Sequence, residues 1–253
     1  MKKNKQQKFF NMNASADGKS ADIFIYGEIT KYAWEDYGEV SSITFKNELD
    51  ELGEVEVINL YINSPGGSVF EGVTINNMLK RHKARVVVHV DGVAASIASV
   101  IAMAGDEIRM PSNSMLMIHN AWTFTWGNAK ELRKAADDLD RISNSSMQSY
   151  LQKAGDKLTE ETLQELLDAE TWLSAEQALE YGLCDVVEEA NEMAASISDD
   201  LFAKYKNVPQ QLKLPSQLKP KISTEEMALR QKIKEEAEAS LAYHNTILGG
   251  IYS

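Results

Sequence analysis

The sequence predicts an α/β protein in which strands and helices alternate along the chain. Three strand-like segments, DIFIYGEI from Asp22, VEVINLYI over 55–62 and ARVVVHV over 84–90, are separated by segments with helical spacing of apolar residues. The β-branched run over 84–90 is typical of a strand that is buried on both faces. This alternation predicts a largely parallel sheet with right-handed crossover connections.

A long helix is predicted over 128–154. Asn128 and Glu131 form a capping-box pattern at its start, and Gly155 is well placed to end it. One face of this helix carries apolar residues: Leu132, Ala135, Leu139, Ile142 and Tyr150. The shorter predicted elements are helices that begin near Ser42, Val69, Ser96, Thr159 and Ser174, and a last strand over 184–188.

Composition divides the chain into three parts. Residues 1–20 are polar and are predicted to form a flexible N-terminal arm, whereas 21–190 carry the alternating strands and helices. Residues 191–253 begin with a proline-spaced linker and continue into a charged helix over 224–245. Because this helix has a single apolar stripe, we expect it to dock on a partner or another subunit.

Charge and composition exclude several classes of function. A formal net charge of -12 argues against a nucleic-acid partner. The one cysteine, Cys184, cannot form an internal disulfide or a zinc cluster, and we expect it to be buried. The N-terminus lacks the apolar core of a secretory signal, and the apolar stretch 93–104 is shorter than the ~20 residues of a membrane helix. We therefore expect a cytoplasmic protein with no membrane segment, no metal and no cofactor.

Two consecutive glycines follow the second strand, in the stretch NSPGGS over 63–68. Gly66 and Gly67 can adopt conformations that other residues avoid, so their N–H groups can face a ligand. The alternative is a plain strand-to-helix turn. A phosphate loop is excluded because the Lys-Ser/Thr pair of that motif is missing.

Ser96 ends the turn DGVAAS, between the strand over 84–90 and a helix of small residues. Backbone N–H groups and the helix dipole at this point favour developing negative charge. A serine in this place is also a common helix cap. The sequence position of Ser96 alone does not distinguish a reactive serine from a helix cap.

His119 follows directly after the apolar strand MLMI over 115–118. Of the other histidines, His82 lies among basic residues, His89 lies within a strand and His244 lies in the tail. His119 is therefore the histidine best placed to reach a serine on a neighbouring element. A structural role is the alternative.

A neutral serine becomes an effective nucleophile only beside a base, and the base needs an acid to orient it. The oxyanion that forms on attack needs backbone N–H donors. The chain offers Ser96, His119, carboxylates at Asp168 and Glu170, and the glycine turn. Together these parts indicate hydrolysis through a nucleophilic serine.

Four motifs occur in the order and at the spacing of the ClpP peptidases: YINSPGGSVFEG, DGVAASIASVIAMAG, MPSNSMLMIHN and TWLSAEQALEYGLCDVV. The resemblance spans about residues 22–188, and WTFTWGNAKELRKAADDLD is especially similar to the ClpP-like head maturation proteases of phages and prophages. It implies a ClpP/crotonase-type ββα superhelix, with 128–154 as its protruding handle helix and the C-terminal helical tail as an addition.

The resemblance also implies roles for individual residues. Ser96 matches the nucleophile and His119 matches the base. The oxyanion donors correspond to Gly66 or Gly67 and to the N–H of Ile97. The third catalytic position usually holds an aspartate; here it is Glu170, which is one methylene longer, with Asp168 as the alternative.

The family implies homo-oligomeric rings, a heptamer or double heptamer stacked through the handles, and a polypeptide substrate that adds as a strand beside 67–70. ClpP works with an ATP-driven unfoldase, but the first 20 residues and the tail differ from those of housekeeping ClpP. We therefore expect a serine endopeptidase that processes phage capsid or scaffold proteins in the host cytoplasm, without an ATPase.

Other functions remain as alternatives. The chain could be a housekeeping-like Clp subunit that works with an ATPase, or a catalytically silent ClpP-like assembly protein. Two further enzyme classes are an acyl-CoA enzyme of the crotonase fold, which needs no serine–histidine pair, and a serine–lysine peptidase. The motif containing His119 argues against the serine–lysine peptidase.

Overall fold

The computed structural model describes residues 10–15, 18–33, 39–190 and 205–209. The predicted C-terminal helix over 224–245 and the first nine residues of the predicted arm lie outside these ranges. Within them the chain forms eight strands and six α-helices. No helix in the described ranges is long and apolar enough to cross a membrane.

The elements alternate as the sequence predicts. The strands are β1 (Phe10–Ala14), β2 (Ser20–Ile25), β3 (Val57–Ser64), β4 (Arg85–Ala95), β5 (Glu107–Pro111), β6 (Met115–Ile118), β7 (Thr171–Ser174) and β8 (Val186–Glu188). The helices are α1 (Ser42–Glu51), α2 (Val69–Arg81), α3 (Ile97–Ala102), α4 (Ala129–Ala154), α5 (Glu160–Asp168) and α6 (Ala175–Glu180), and a 3-10 turn covers Gly155–Lys157.

The strands form one mixed sheet that is mainly parallel, which confirms the predicted α/β class. Its order is β1-β2-β3-β4-β5-β8, and β6 and β7 extend it beside the second half of β4. Parallel pairs join β2 to β3, β3 to β4, β4 to β5, β4 to β6 and β5 to β8. The antiparallel pairs are β1 with β2 and β6 with β7. The carboxyl ends of the parallel strands thus meet at one edge, where the predicted site residues lie.

Residues 10–14 differ from the sequence analysis, which placed them in a flexible arm. They form β1 and pair with β2, with Phe10 opposite Ile25 and Ala14 opposite Ala21. The pairing uses the backbone groups that an edge strand leaves open, so it needs no long apolar pattern in the added strand. This is why composition alone pointed to an arm.

The prediction that β4 is buried on both faces is wrong. Its residues from Arg85 to Asp91 alternate, with Val86, Val88 and Val90 fully buried and the residues between them more exposed. On the more open face an aromatic stack crosses three strands, with ring centroids 4.7 Å apart for Phe24 and Tyr61 and 4.8 Å for Tyr61 and His89. Cross-strand stacking therefore covers this face in place of a second layer of helices.

Helix α4 begins and ends as predicted, but only its second half packs on the domain. The capping box of Asn128 and Glu131 is present, and Gly155 is the C-cap. The buried residues of α4 are Ser143, Met147, Tyr150 and Ala154. The first half is mostly exposed to solvent.

A buried hydrogen bond joins α4 to the short helix α3. The Tyr150 side chain is 2% exposed, and its hydroxyl lies 2.7 Å from Ser99 Oγ. Ser99 Oγ in turn donates to the carbonyl of Ser96, at 2.5 Å. The long helix is thereby tied to the turn that carries Ser96. Cys184 is 1% exposed, which confirms the expected burial.

The Tyr150–Ser99 bond gives a prediction about stability. Tyr150→Phe removes one buried hydrogen bond and keeps the ring, so we expect the free energy of unfolding to fall by about 1 kcal/mol. Urea denaturation followed by tryptophan fluorescence measures this. The control is Tyr32→Phe, since Tyr32 is 77% exposed. An equal effect of the two substitutions would contradict the assigned role of the bond.

Candidate active site

Ser96 and His119 lie at the carboxyl ends of two neighbouring parallel strands. In the pairing of β4 with β6, Ala95 is opposite Met117, and the Ser96 N–H donates to the Met117 carbonyl at 2.8 Å. His119 Nε2 lies 2.8 Å from Ser96 Oγ. The register of the two strands therefore brings together a serine and a histidine that are 23 positions apart.

The backbone at Ser96 is strained. Its φ is 54° and its ψ is -129°, a conformation that residues with a side chain rarely adopt. Such a residue costs about 1–3 kcal/mol and persists only where its surroundings hold it. Here the bonds from Ser96 to Met117 and Ser99 do so. The turn directs the hydroxyl toward His119, away from the capping position that the alternative interpretation required, and no capping bond is formed.

The SPGG turn lies against Ser96. A Cβ placed on Gly66 would come within 2.7 Å of Ser96 Cβ, so only glycine fits this contact. The Gly66 N–H donates to Ser64 Oγ at 3.1 Å. Among the described residues, the N–H groups of Gly67 and Ile97 have no hydrogen-bond partner. Of the two glycines, Gly67 is thus the one with a free donor.

Gly67 is held in position by the segment before α1. Ile29 donates its N–H to the Gly66 carbonyl at 2.8 Å and accepts from the Ser68 N–H at 2.7 Å. Gly67 has a φ of 144°, and a Cβ there would stand 2.0 Å from the Ile29 carbonyl oxygen. The turn is therefore held against Ile29 on one side and Ser96 on the other, so it does more than connect β3 to α2.

The two predicted carboxylates lie near the pair, but neither hydrogen-bonds to His119 in the described part of the chain. Asp168 Oδ1 accepts from the Asn120 side chain at 2.6 Å and from Gln164 at 2.7 Å. Glu170 Oε1 accepts from the backbone N–H groups of Lys206, at 2.6 Å, and Asn207, at 2.8 Å. Glu170 is close enough to act on His119 through its charge.

Burial lowers the pKa of His119 below the ordinary histidine value of 6.5, and the charge of Glu170 partly opposes this shift. The imidazole is therefore mostly neutral at neutral pH. A neutral ring with its proton on Nδ1 can accept the Ser96 hydroxyl proton at Nε2. His119 thus has the protonation state that a general base requires.

Tyr205 also lies at the site, although the sequence analysis placed it in the linker. Its ring makes an edge contact with His119, with centroids 5.5 Å apart, and its hydroxyl donates to the Pro65 carbonyl. Burial raises the pKa of Tyr205 to about 12. The available signal was a group of apolar residues, Leu201, Phe202, Tyr205 and Val208, between the acidic pair at 199–200 and the first proline of the predicted linker.

Several cavities open beside the serine or the histidine, and two of them are large. One, of about 210 Å³, is lined by the SPGG turn, Ser96, His119 and Tyr205. The other, of about 730 Å³, is lined by His119, exposed aromatic residues, Glu170 and the segment from Lys206. Tyr205 thus forms part of the wall of the smaller cavity, and Lys206 and Asn207 form part of the wall of the larger one.

The arrangement can perform acyl transfer through a serine. It contains a nucleophile next to a neutral histidine, two backbone donors beside the nucleophile and a space for substrate. Among the described residues, no group of three His, Cys, Asp or Glu side chains is placed to hold a metal ion.

Comparison with known proteins identifies the family. A family model for Clp protease matches residues 6–191. The ATP-dependent Clp protease proteolytic subunit of Deinococcus radiodurans is 34% identical over 142 residues, which cover 55% of this chain and 68% of the relative. The ATP-dependent Clp protease proteolytic subunit 1 of Salinibacter ruber is 32% identical over 141 residues, covering 55% of this chain and 60% of the relative. The chain therefore belongs to the Clp protease family and is a serine peptidase.

Proposed function

We propose that Ser96 is the nucleophile of this peptidase and that His119 is its general base. The observation that carries this assignment is the 2.8 Å contact between Ser96 Oγ and His119 Nε2 at two adjoining strand ends. The strained turn at Ser96 and the neutral state of His119 support it, because both favour attack by the hydroxyl.

The proposed reaction follows the order of an acyl-enzyme mechanism. His119 takes the Ser96 proton as Oγ attacks the peptide carbonyl, and the N–H groups of Gly67 and Ile97 donate to the oxyanion. Gly66 supports the close approach of the turn to Ser96. His119 then gives the proton to the leaving amine, and water, activated by His119 in the same way, releases the acyl group from Ser96.

Glu170 is proposed to orient His119 once its carboxylate is released from the backbone of residues 206 and 207. Two observations support Glu170 over Asp168. The charge of Glu170 acts on His119, whereas Asp168 is bound by Asn120 and Gln164. The extra methylene of glutamate lets the carboxylate reach positions away from its own backbone.

We further propose that the protein assembles into homo-oligomeric rings and cleaves phage capsid or scaffold polypeptides in the host cytoplasm. Exposed apolar side chains support assembly: Trp122, Phe124 and Trp126 precede α4, and Leu132 lies on its first half. The sequence of this region resembles head maturation proteases, as described above. The N-terminal residues and tail, which differ from those of housekeeping ClpP, support a dedicated substrate.

Two other functions have an observation in their favour. The relatives' names, ATP-dependent Clp protease proteolytic subunit, favour a peptidase that works with an ATPase. The absence of a carboxylate bound to His119 among the described residues favours a catalytically silent assembly protein. The experiments below separate these functions from the proposal.

Ser96→Ala is the direct test of the nucleophile. It removes the attacking oxygen, so we expect hydrolysis of a fluorogenic peptide to lose a factor on the order of 10⁶ in kcat. The matched control is Ser112→Ala, since Ser112 is exposed on the turn after β5. Activity that survives in purified Ser96→Ala would refute the assignment, and wild type without activity would favour the silent assembly protein.

The pH dependence tests His119 and Glu170 together. Because the base acts in its neutral form, kcat/KM should rise with pH through a midpoint below 6.5. Glu170→Gln removes the charge that raises this pKa, so its midpoint should move to still lower pH. Glu180→Gln, at an exposed position of α6, should leave the midpoint unchanged. A midpoint that rises in Glu170→Gln would contradict the proposed arrangement.

The phage substrate is tested by intact mass. Wild type and Ser96→Ala are each incubated with the cognate capsid precursor, without any ATPase. We expect defined cleavage products with wild type and an uncut precursor with Ser96→Ala. Cleavage that begins only when a Clp ATPase and ATP are added would favour the housekeeping function instead.

A further inference from the structure

A short stretch of the predicted linker, residues 205–209, packs directly on the active site. Val208 is 6% exposed and contacts a small apolar cluster formed by Val93, Ala95 and Met117. These three residues lie on β4 and β6, the strands that carry Ser96 and His119 at their ends. The segment is therefore anchored on the same two strands that build the catalytic pair.

Tyr205 borders the cavity that a substrate would enter. Its ring lies beside His119, and its hydroxyl donates to the Pro65 carbonyl at the start of the glycine turn. The hydroxyl is also close enough to Ser96 for the two groups to interact. A peptide carbonyl attacked by Ser96 must lie between Ser96 and the Gly67 N–H, and Tyr205 lines that cavity.

The same segment binds the Glu170 carboxylate, which the proposed mechanism needs beside His119. The N–H groups of Lys206 and Asn207 both donate to Glu170 Oε1, and the Asn207 side chain donates to the neighbouring Ala169 carbonyl at 3.0 Å. Hydrogen bonds to an ionised carboxylate are shorter and stronger than neutral ones. Glu170 is therefore bound to the segment instead of to His119.

We propose that residues 205–209 form an intramolecular inhibitory segment that covers the catalytic pair and withholds Glu170 from His119. Displacement of this segment would open the substrate cavity and free the carboxylate in one step. The inference rests on the proposed roles of Ser96 and His119. It adds that the described conformation is the closed state of the peptidase.

A catalytic role for Tyr205 is the competing interpretation. It would require the phenol to donate to the substrate or to the oxyanion, but the hydroxyl proton is already committed to the Pro65 carbonyl. The two interpretations predict opposite effects on the reaction rate when the Tyr205 side chain is removed. Removal of an inhibitory ring raises the reaction rate, whereas removal of a catalytic hydroxyl lowers it.

The experiment compares full-length variants by their kcat/KM on a fluorogenic peptide and their rate of labelling by a fluorophosphonate probe. If the open state is populated at about 10%, Tyr205→Ala should raise both values about tenfold. Val208→Ala, which weakens the anchor, should raise them less. Tyr205→Phe, which keeps the ring and loses the hydrogen bond, should lie between wild type and Tyr205→Ala.

Tyr32→Ala is the matched control and should behave as wild type, because Tyr32 is 77% exposed. If wild type reacts and Tyr205→Ala is no faster, the inhibitory segment is refuted while the catalytic assignment stands. Lower rates in both Tyr205→Ala and Tyr205→Phe would also refute it and favour a catalytic hydroxyl. If wild type and Tyr205→Ala are both as unreactive as Ser96→Ala, both proposals fail.

Discussion

The alignment of β4 with β6 is the constraint on which the site depends. The Ser96 N–H bond to the Met117 carbonyl fixes the residue that follows β4 against β6. It also helps to hold Ser96 in a backbone conformation that would otherwise be unfavourable. From this arrangement the 2.8 Å contact with His119 follows, since His119 lies two positions after Met117. The glycine turn, α3 and the anchored half of α4 all support this one junction.

The protonation state of His119 is determined more by burial of its ring than by a paired charge. His119 has a lowered pKa because it is desolvated, and Glu170 offsets this shift only in part. A third residue bound to His119 would hold the ring and stabilise its charged form during attack. In the described conformation Glu170 instead accepts two backbone hydrogen bonds from residues 206 and 207. The proposed inhibitory segment therefore links access to the site and completion of the catalytic group in a single conformational change.

The sequence predicted the features that depend on local patterns. The strand end before His119, the capping box of α4 and the burial of Cys184 can all be predicted from nearby residues. The strand before Ser96 was predicted to end at residue 90, but β4 continues to Ala95 because its last residues pair with β6. The features that it missed depend on distant contacts. β1 forms by backbone pairing to an open edge, the second face of β4 is covered by rings from β2 and β3, and Tyr205 reaches the site from well beyond the last strand. Such contacts leave only a weak trace in the local sequence.

The central claim is that Ser96 is activated by His119, and mapping a covalent adduct tests it most directly. Full-length protein is treated with a fluorophosphonate, digested and analysed by mass spectrometry for the modified residue. We expect a single adduct on Ser96, formed far more slowly in His119→Ala than in wild type. An adduct on another serine, or equal labelling of Ser96 in His119→Ala, would contradict it.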